Sequence, residues 1–250
     1  MESIKDTWVM AKRSLRHTVR SIDTIITVAA MPIAMMLLFV YVLGGAFNVG
    51  SDNYVNFVTP GIIIMTILSG IAYAALRLNN DLQRGIIDRF KTMPVAPSSI
   101  LGGHAASSVI SNLISVFLVL GVALLVGFRT SAGPLEWLMA VGLILLFTLA
   151  TTWLAMIFGL LAKTAEGAGA FSYVLILMAF VSSAFVPTDK MVFGLRWFAE
   201  NQPMTPIIET MRSLLTNGTV GDKAWIAVIW CVCLLVVSYV TALAIYKKKS

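Results

Sequence analysis

The sequence predicts an all-α polytopic membrane protein with six transmembrane helices, and three observations carry that prediction. First, 58% of the 250 residues are hydrophobic and only 12% are charged, where a soluble domain carries about a quarter. Second, charge is absent from six windows, residues 24–51, 53–76, 92–128, 137–162, 167–188 and 224–246. Each window holds the roughly 20 apolar residues that cross a hydrocarbon core. Third, Lys and Arg alternate between the connections: thirteen lie before the first window, in the second and fourth connections and in the tail, against five in the others. By the positive-inside rule both termini are cytoplasmic, as an even number of spans requires. The spans fall near 24–44, 56–76, 104–127, 136–161, 168–186 and 224–246 of one domain covering 1–250. They leave no stretch long enough for a separate soluble domain. In this setting the +6 net charge sets orientation and does not mark a nucleic-acid partner.

Residues 1–23 come first. Ile4, Trp8, Ala11, Leu15, Val19 and Ile22 recur at helical spacing, with Lys5, Lys12, Arg13, Arg16 and Arg20 off that stripe. This pattern predicts an amphipathic helix in the inner interface, not a cleaved signal peptide. It serves either as an anchor to anionic membrane lipid or as a lever for a cytoplasmic partner. The spans themselves contain Gly and small polar residues but almost no ionisable ones, so a buried proton relay is not expected. Asn56, at the entry to span 2, and Ser108, Ser111, Asn112 and Ser115 in span 3 are candidates for a polar translocation path. Hydrogen bonding between packed helices is the competing reading of the same residues. Cys231 and Cys233, two apart inside the last span, read as small apolar side chains. Tyr41, Tyr54, Phe57, Trp137 and Trp225 near span ends read as interfacial anchors.

The cytoplasmic connection between spans 2 and 3 predicts a short helix over residues 80–94. Leu82, Ile86 and Phe90 share one face, Asn79 or Asn80 can cap the start, Arg84 and Asp88 are an i, i+4 pair, and Pro94 and Pro97 stop it. Such a helix suits docking into a cleft of a cytoplasmic protein, or lying on the inner leaflet. The external connection, residues 187–218, is too apolar for a solvated loop. Ile207, Ile208, Met211, Leu214 and Leu215 form a helical face behind Pro206, with Glu209 and Arg212 off it and Asn217-Gly218 as a stop. The stretch from Asn201 through Pro203 to Pro206 predicts a break between two short helices. A break at membrane depth needs protein or water to satisfy its backbone.

Four stretches then carry a resemblance to a known family: Tyr54 to Gly61, Asp81 to Pro94, Ser183 to Pro187, and Asn201 to Pro206 with Glu209 and Arg212. In that order, with six spans, the chain resembles the ABC-2 type permeases, most closely the daunorubicin/doxorubicin resistance branch. The resemblance implies a membrane subunit of an ATP-binding cassette exporter in the plasma (bacterial inner) membrane. It also implies two ATP-binding cassette ATPase subunits and a second permease subunit, identical or a close paralogue, as partners. Residues 81–94 correspond to the coupling helix, with Asp81, Leu82, Arg84, Gly85, Ile86, Asp88, Arg89, Phe90, Met93 and Pro94 facing the ATPase. The start of the chain, with Trp8, Lys12, Arg13, Arg16 and Arg20, corresponds to the connecting helix. The half-membrane helices supply an external gate segment that includes Phe185, Pro187, Asn201, Pro203, Pro206, Glu209 and Arg212. Where some relatives have a Glu-rich coupling segment, this chain sets Asp81, Gln83 and Asp88 among Arg84, Arg89 and Lys91.

No Gly-x-x-x-x-Gly-Lys-[Ser/Thr] phosphate loop occurs, so ATP and Mg are expected on the partner and no cofactor on this chain. The implied cargo is amphipathic or hydrophobic, a drug, antibiotic or lipid-like molecule. Three rival classes compete with this reading. A six-span serine protease needs a Ser nucleophile and a His base at membrane depth, but His17 and His104 lie near span ends and Gly-x-Ser-x-Gly is absent. An ATP-independent channel or secondary carrier suits glycine-rich spans, and a membrane scaffold needs no transport at all.

Overall fold

The computed structural model describes residues 22–44, 54–85 and 97–249. The described residues form helices joined by turns and short loops, without strands. In chain order the helices are α1 (Ile22–Leu38), prolonged by a π-helical turn Phe39–Leu43, α2 (Tyr54–Gln83), α3 (Pro97–Val126), α4 (Pro134–Leu161) and α5 (Ala165–Phe180). After a 3₁₀ turn, Thr188–Lys190, come α6 (Phe193–Asn201), α7 (Met204–Arg212) with a π-helical turn Ser213–Asn217, and α8 (Ala224–Lys249).

Four of these helices are long and apolar enough to cross a membrane: α2, Leu101–Val126 of α3, α4, and Ala224–Lys248 of α8. Six had been expected. The first and fifth expected spans coincide instead with shorter apolar helices, Val28–Val42 and α5. The reason for the shortness of α5 is local. Thr164 accepts a hydrogen bond from the Gly167 amide and starts the helix, and the chain turns away at Val181. Its 16 residues give about 24 Å, short of the roughly 30 Å hydrocarbon core.

α2 is the central element. Ile62, Ile63, Ile64, Ile67, Leu68 and Ile71 are all buried, so the helix is apolar around its whole circumference and packs against α1, α3, α4, α5 and α7. A helix without a polar face belongs inside a bundle. Its hydroxyls are satisfied within the helix: Thr59 donates to the Val55 carbonyl, Thr66 to Ile62 and Ser69 to Met65. Close packing needs small residues on both sides. A Cβ added to Gly61 would come within 3.0 Å of the Ala184 backbone, and one on Gly159 of α4 within 2.9 Å of the Ala75 carbonyl oxygen. α8 lies along α4, where Tyr239 meets the Trp153 ring edge-on at 4.7 Å. The outward surfaces of these helices are apolar as well, with Phe117, Leu125, Val236 and Val237 exposed on long helices and Tyr173 and Val174 on the shorter α5. That is the surface lipid tails require and water does not.

Three expectations change. α2 runs on to Gln83, so Asn79 and Asn80 are interior positions and do not cap a new helix, while Asp81 and Leu82 belong to its last turn. Arg84 and Gly85 form the turn that ends it, Gly85 with φ +64°. Pro97 opens α3, which fits proline's preference for a first helical turn, while residues 86–96, where the preceding short helix is expected, lie outside the described residues. Tyr54 is packed in the core and not at a lipid interface. Ile86, Asp88, Arg89, Phe90, Met93 and Pro94 lie outside the described residues, as do Trp8, Lys12, Arg13, Arg16 and Arg20.

The close approach at Gly61 is testable. Gly61→Val should destabilise the purified protein by about 1–3 kcal/mol, the usual cost of overpacking, read as a lowered unfolding temperature in detergent. Gly121→Val, where nothing lies within 4 Å of an added Cβ, should leave the melt unchanged. Equal melting of the two variants would contradict the packing.

Candidate functional site

The residues expected in an external gate segment and the chain just before them converge at the N-terminal end of α2. Between α5 and the 3₁₀ turn, residues 181–185 leave helical geometry while Ser182, Ser183, Ala184 and Phe185 stay buried. Non-helical backbone away from water must find partners for each carbonyl. Here alternate carbonyls are held by side chains from three places. The Val181 carbonyl accepts from Gln202 Nε2 at 3.0 Å, the Ser183 carbonyl from Arg212 Nη2 at 2.6 Å, and the Phe185 carbonyl from the Tyr54 hydroxyl at 3.2 Å. Two amides are served too: Ser183 N–H donates to Thr205 Oγ1 at 3.4 Å and Ala184 N–H to Ser182 Oγ at 3.2 Å. Phe185 stacks on Phe39 at 4.4 Å and on Phe180 at 5.2 Å, which seals the turn against α1 and α5.

Arg212 is the widest-reaching of these side chains. Besides Ser183 it donates from Nε to the Phe57 carbonyl at 3.1 Å, and its guanidinium lies 3.8 Å from the centroid of the Phe57 ring. One cation thus joins α7, α2 and the buried turn. Burial pushes its pKa down to about 10, while Glu209 and Tyr54 oppose that shift. The group therefore stays protonated near neutrality, and a charged donor strengthens each bond it makes. Glu209 itself pairs with Lys223 Nζ at 3.0 Å and ties α7 to the start of α8.

The remaining gate residues serve the break between α6 and α7. Asn201 ends α6 by donating to the Trp197 carbonyl, Gln202 and Pro203 make the break, and Pro206 lies within α7, its carbonyl accepting from Thr210. Pro187 precedes the 3₁₀ turn. Ile207, Ile208, Met211, Leu214 and Leu215 are all buried, as their spacing predicted. Gly218, at φ +61°, supplies the left-handed stop.

The candidate path residues lie in helix seams. Asn112 is buried against Gly70 of α2, donates to the Ser108 carbonyl and leaves its own oxygen without a protein partner. Ser108 and Ser115 are buried with it, and Ser111 bonds back to the Ser107 carbonyl. Asn56 accepts from the Arg129 amide at 2.9 Å and so fixes the α3–α4 loop. That loop is also held by Thr130, donating to the Leu215 carbonyl, and by Ser131, donating to Thr216.

Sequence reading missed two arrangements. It placed Arg212 off the apolar face without seeing that the guanidinium turns inward. It also missed the polar joints at the C-terminal end of α2, where Asp81 Oδ2 meets His104 Nε2 of α3 at 3.3 Å and Asn79 reaches α4. A buried-span Asn close to a charged helix end was the available signal.

Arg212→Lys retains the charge but cannot bridge two carbonyls and cover a ring. It should lower stability by about 1–3 kcal/mol, the cost of leaving buried groups unmatched, measured by thermal unfolding and by faster protease cleavage near residues 183–187. Glu209→Gln, which removes only a partly exposed ion pair, should cost at most about 1 kcal/mol. The reverse order would displace Arg212 from its central role.

Comparison with known proteins agrees with this architecture. The family model described as ABC-2 type transporter matches residues 5–216. The chain is 28% identical over 198 residues to the daunorubicin resistance ABC transporter permease protein DrrB1 of Streptomyces coeruleorubidus, covering 79% of this chain and 70% of that protein. It is 24% identical over 236 residues to the probable doxorubicin resistance ABC transporter permease protein DrrC of Mycobacterium tuberculosis, covering 92% and 86%. The putative transport permease ycf38 of Cyanophora paradoxa is 27% identical over 223 residues, covering 86% and 76%. With apolar helices of membrane-crossing length, a match over most of its sequence and relatives that are permeases, this chain is a multi-pass membrane transport permease of the ABC-2 type transporter family.

Proposed function

We propose that the chain is the membrane subunit of an ATP-driven exporter, working with two ATP-binding cassette subunits and a second permease subunit, identical or paralogous. The observation that carries this reading is the construction of α2. One end is locked to a broken, partly re-entrant helix pair by Arg212, and the other runs into a charged connection beginning at Arg84. A rigid central helix joined to different machinery at each end can turn a push on one side into opening on the other. ATP and Mg act on the partner, since this sequence lacks a phosphate loop. The export of a drug, antibiotic or lipid-like amphiphile is supported by the names of the relatives.

In this reading the short helices complete six spans, with both termini cytoplasmic in a plasma (bacterial inner) membrane. α1 and its π-helical turn form the first span. α5 forms the fifth, ending at membrane depth where the turn 181–185 is shielded by α1 and α7. Residues 81–94 form the coupling element and residues 1–23 the connecting helix, both on the cytoplasmic side. The external segment 187–218 closes the outer end of the pathway. Nucleotide shifts this machinery only through its different affinities for the inward- and outward-facing states.

The test is reconstitution of the chain with its ATPase in lipid vesicles and ATP-dependent movement of a fluorescent amphiphile such as doxorubicin. Replacing Arg84 and Asp88 together, or Phe90 alone, should leave the protein in the membrane and the ATPase active but lower transport at least tenfold. Transport at the unaltered rate would remove residues 81–94 from the coupling role. Flux without ATP would instead establish a channel or secondary carrier.

A further inference from the structure

A second set of side-chain bonds to main-chain carbonyls lies at the other end of α2. Asn79, only 2% exposed, donates both amide hydrogens to α4 and its exit, reaching the Gly159 carbonyl at 3.0 Å and the Ala162 carbonyl at 2.7 Å. Its own oxygen accepts from Gln83 Nε2 at 2.7 Å, and the same Gln83 nitrogen donates to the Lys163 carbonyl at 2.9 Å. Two side-chain amides one helical turn apart therefore commit all four of their N–H groups, three to carbonyls of residues 159–163 and one to each other's link. Those carbonyls lie where α4 ends, where a helix leaves acceptors without internal partners.

Backbone shape makes this reach possible. Gly159 has no side chain, so α4 approaches Ala75 of α2 closely, and a Cβ there would lie 2.9 Å from the Ala75 oxygen. Asn79 lies one turn beyond Ala75 on the same face. From a closely packed pair of helices the amide then needs to extend only as far as the final turn of α4. On another side of α2, Asp81 meets His104 of α3. The last turn of α2 is thus fixed to α3 and to the α4–α5 connection at once, immediately before the Arg84–Gly85 turn.

We infer that Asn79 and Gln83 form a positioning joint that makes the α4–α5 connection move with the C-terminal end of α2 during the transport cycle. The inference rests on the reading of the chain as an ATP-driven exporter, in which force enters just beyond Gln83. Without the joint, a push on α2 would tilt that helix past α4. With it, the push also carries α4, and α5, whose capping residue Thr164 adjoins Lys163. Both side-chain amides are committed to main-chain carbonyls and to each other, so the joint is expected to act on coupling and to leave cargo affinity alone.

The experiment has a structural and a functional arm. Spin labels at Asn80→Cys, a partly exposed position on the last turns of α2, and at the exposed Glu166→Cys, in a background with Cys231 and Cys233 replaced by Ala, report the distance across the joint in the complete complex. The expected result is one distance, unchanged between the nucleotide-free and ATP-trapped states. Gln83→Ala, at an exposed position, should make that distance broad or state-dependent, and Asn79→Leu more so. Both should lower transported cargo per ATP at least fivefold without changing the cargo concentration at half-maximal transport. If Asn79→Leu does not fold, Gln83→Ala alone decides. A distance that changes with nucleotide in the unaltered joint, or an unchanged transport ratio in Gln83→Ala, overturns the inference. Failure of the exporter reading shows separately, as a complex with intact joint distances and no ATP-dependent transport.

Discussion

The structure depends on one constraint: main-chain carbonyls buried among apolar helices must be given donors. Helical segments meet it internally, and the hydroxyls of Thr59, Thr66 and Ser69 merely rejoin their own helix. The difficulty arises where a helix stops, buried at residues 182–185 and partly exposed at residues 161–163. Two such places are described, residues 181–185 and residues 159–163, and each is served by side chains from distant parts of the chain. Packing then follows from these bonds. Gly61 abuts Ala184 and Gly159 abuts Ala75 because a donor on α2 or α7 reaches only when the backbones are close.

The two places differ in chemistry. At the N-terminal end of α2 the principal donor is a charged guanidinium, supported by an aromatic ring and by a phenol hydroxyl. At the C-terminal end the donors are neutral amides, next to a carboxylate–imidazole contact. A buried cation binds its carbonyls more strongly than a neutral amide does. The helix is therefore held more firmly at the end facing the broken pair α6–α7 than at the end adjoining the charged connection, an asymmetry suited to a lever that moves at one end and pivots at the other.

The long apolar helices were legible in the sequence because charge is so expensive in lipid that its absence marks α2, α3, α4 and α8 directly. The broken pair α6–α7 was legible too, since Pro203 marks the break and Gly218 ends the second helix, although Pro206 proves to lie inside α7 and not in the break. Which helix is central was not. In water the buried face of a helix is apolar and the other is polar, but in lipid Phe117 and Leu125 face outward with the same chemistry as Ile62 and Leu68 inside. Only the small residues Gly61, Gly70 and Gly159 distinguished packed faces. The candidate site was half legible: Arg212 is named by the resemblance and Gln202 lies unremarked inside the Asn201–Pro206 stretch, and their partners are carbonyls, which carry no residue-specific signature.

That last property shapes how such a chain can change over time. Gln202, Arg212 and Tyr54 recognise the oxygens of residues 181, 183 and 185 and not their side chains. Ser182 serves the Ala184 amide, Ala184 faces Gly61, and Phe185 stacks on Phe39 and Phe180, so these side chains are constrained as well. The three donors are constrained in turn, since each must keep both its hydrogen-bonding group and its reach. Holder and held segment are thus bound alike, and the room for sequence drift narrows to positions engaged through their carbonyls, 181 and 183.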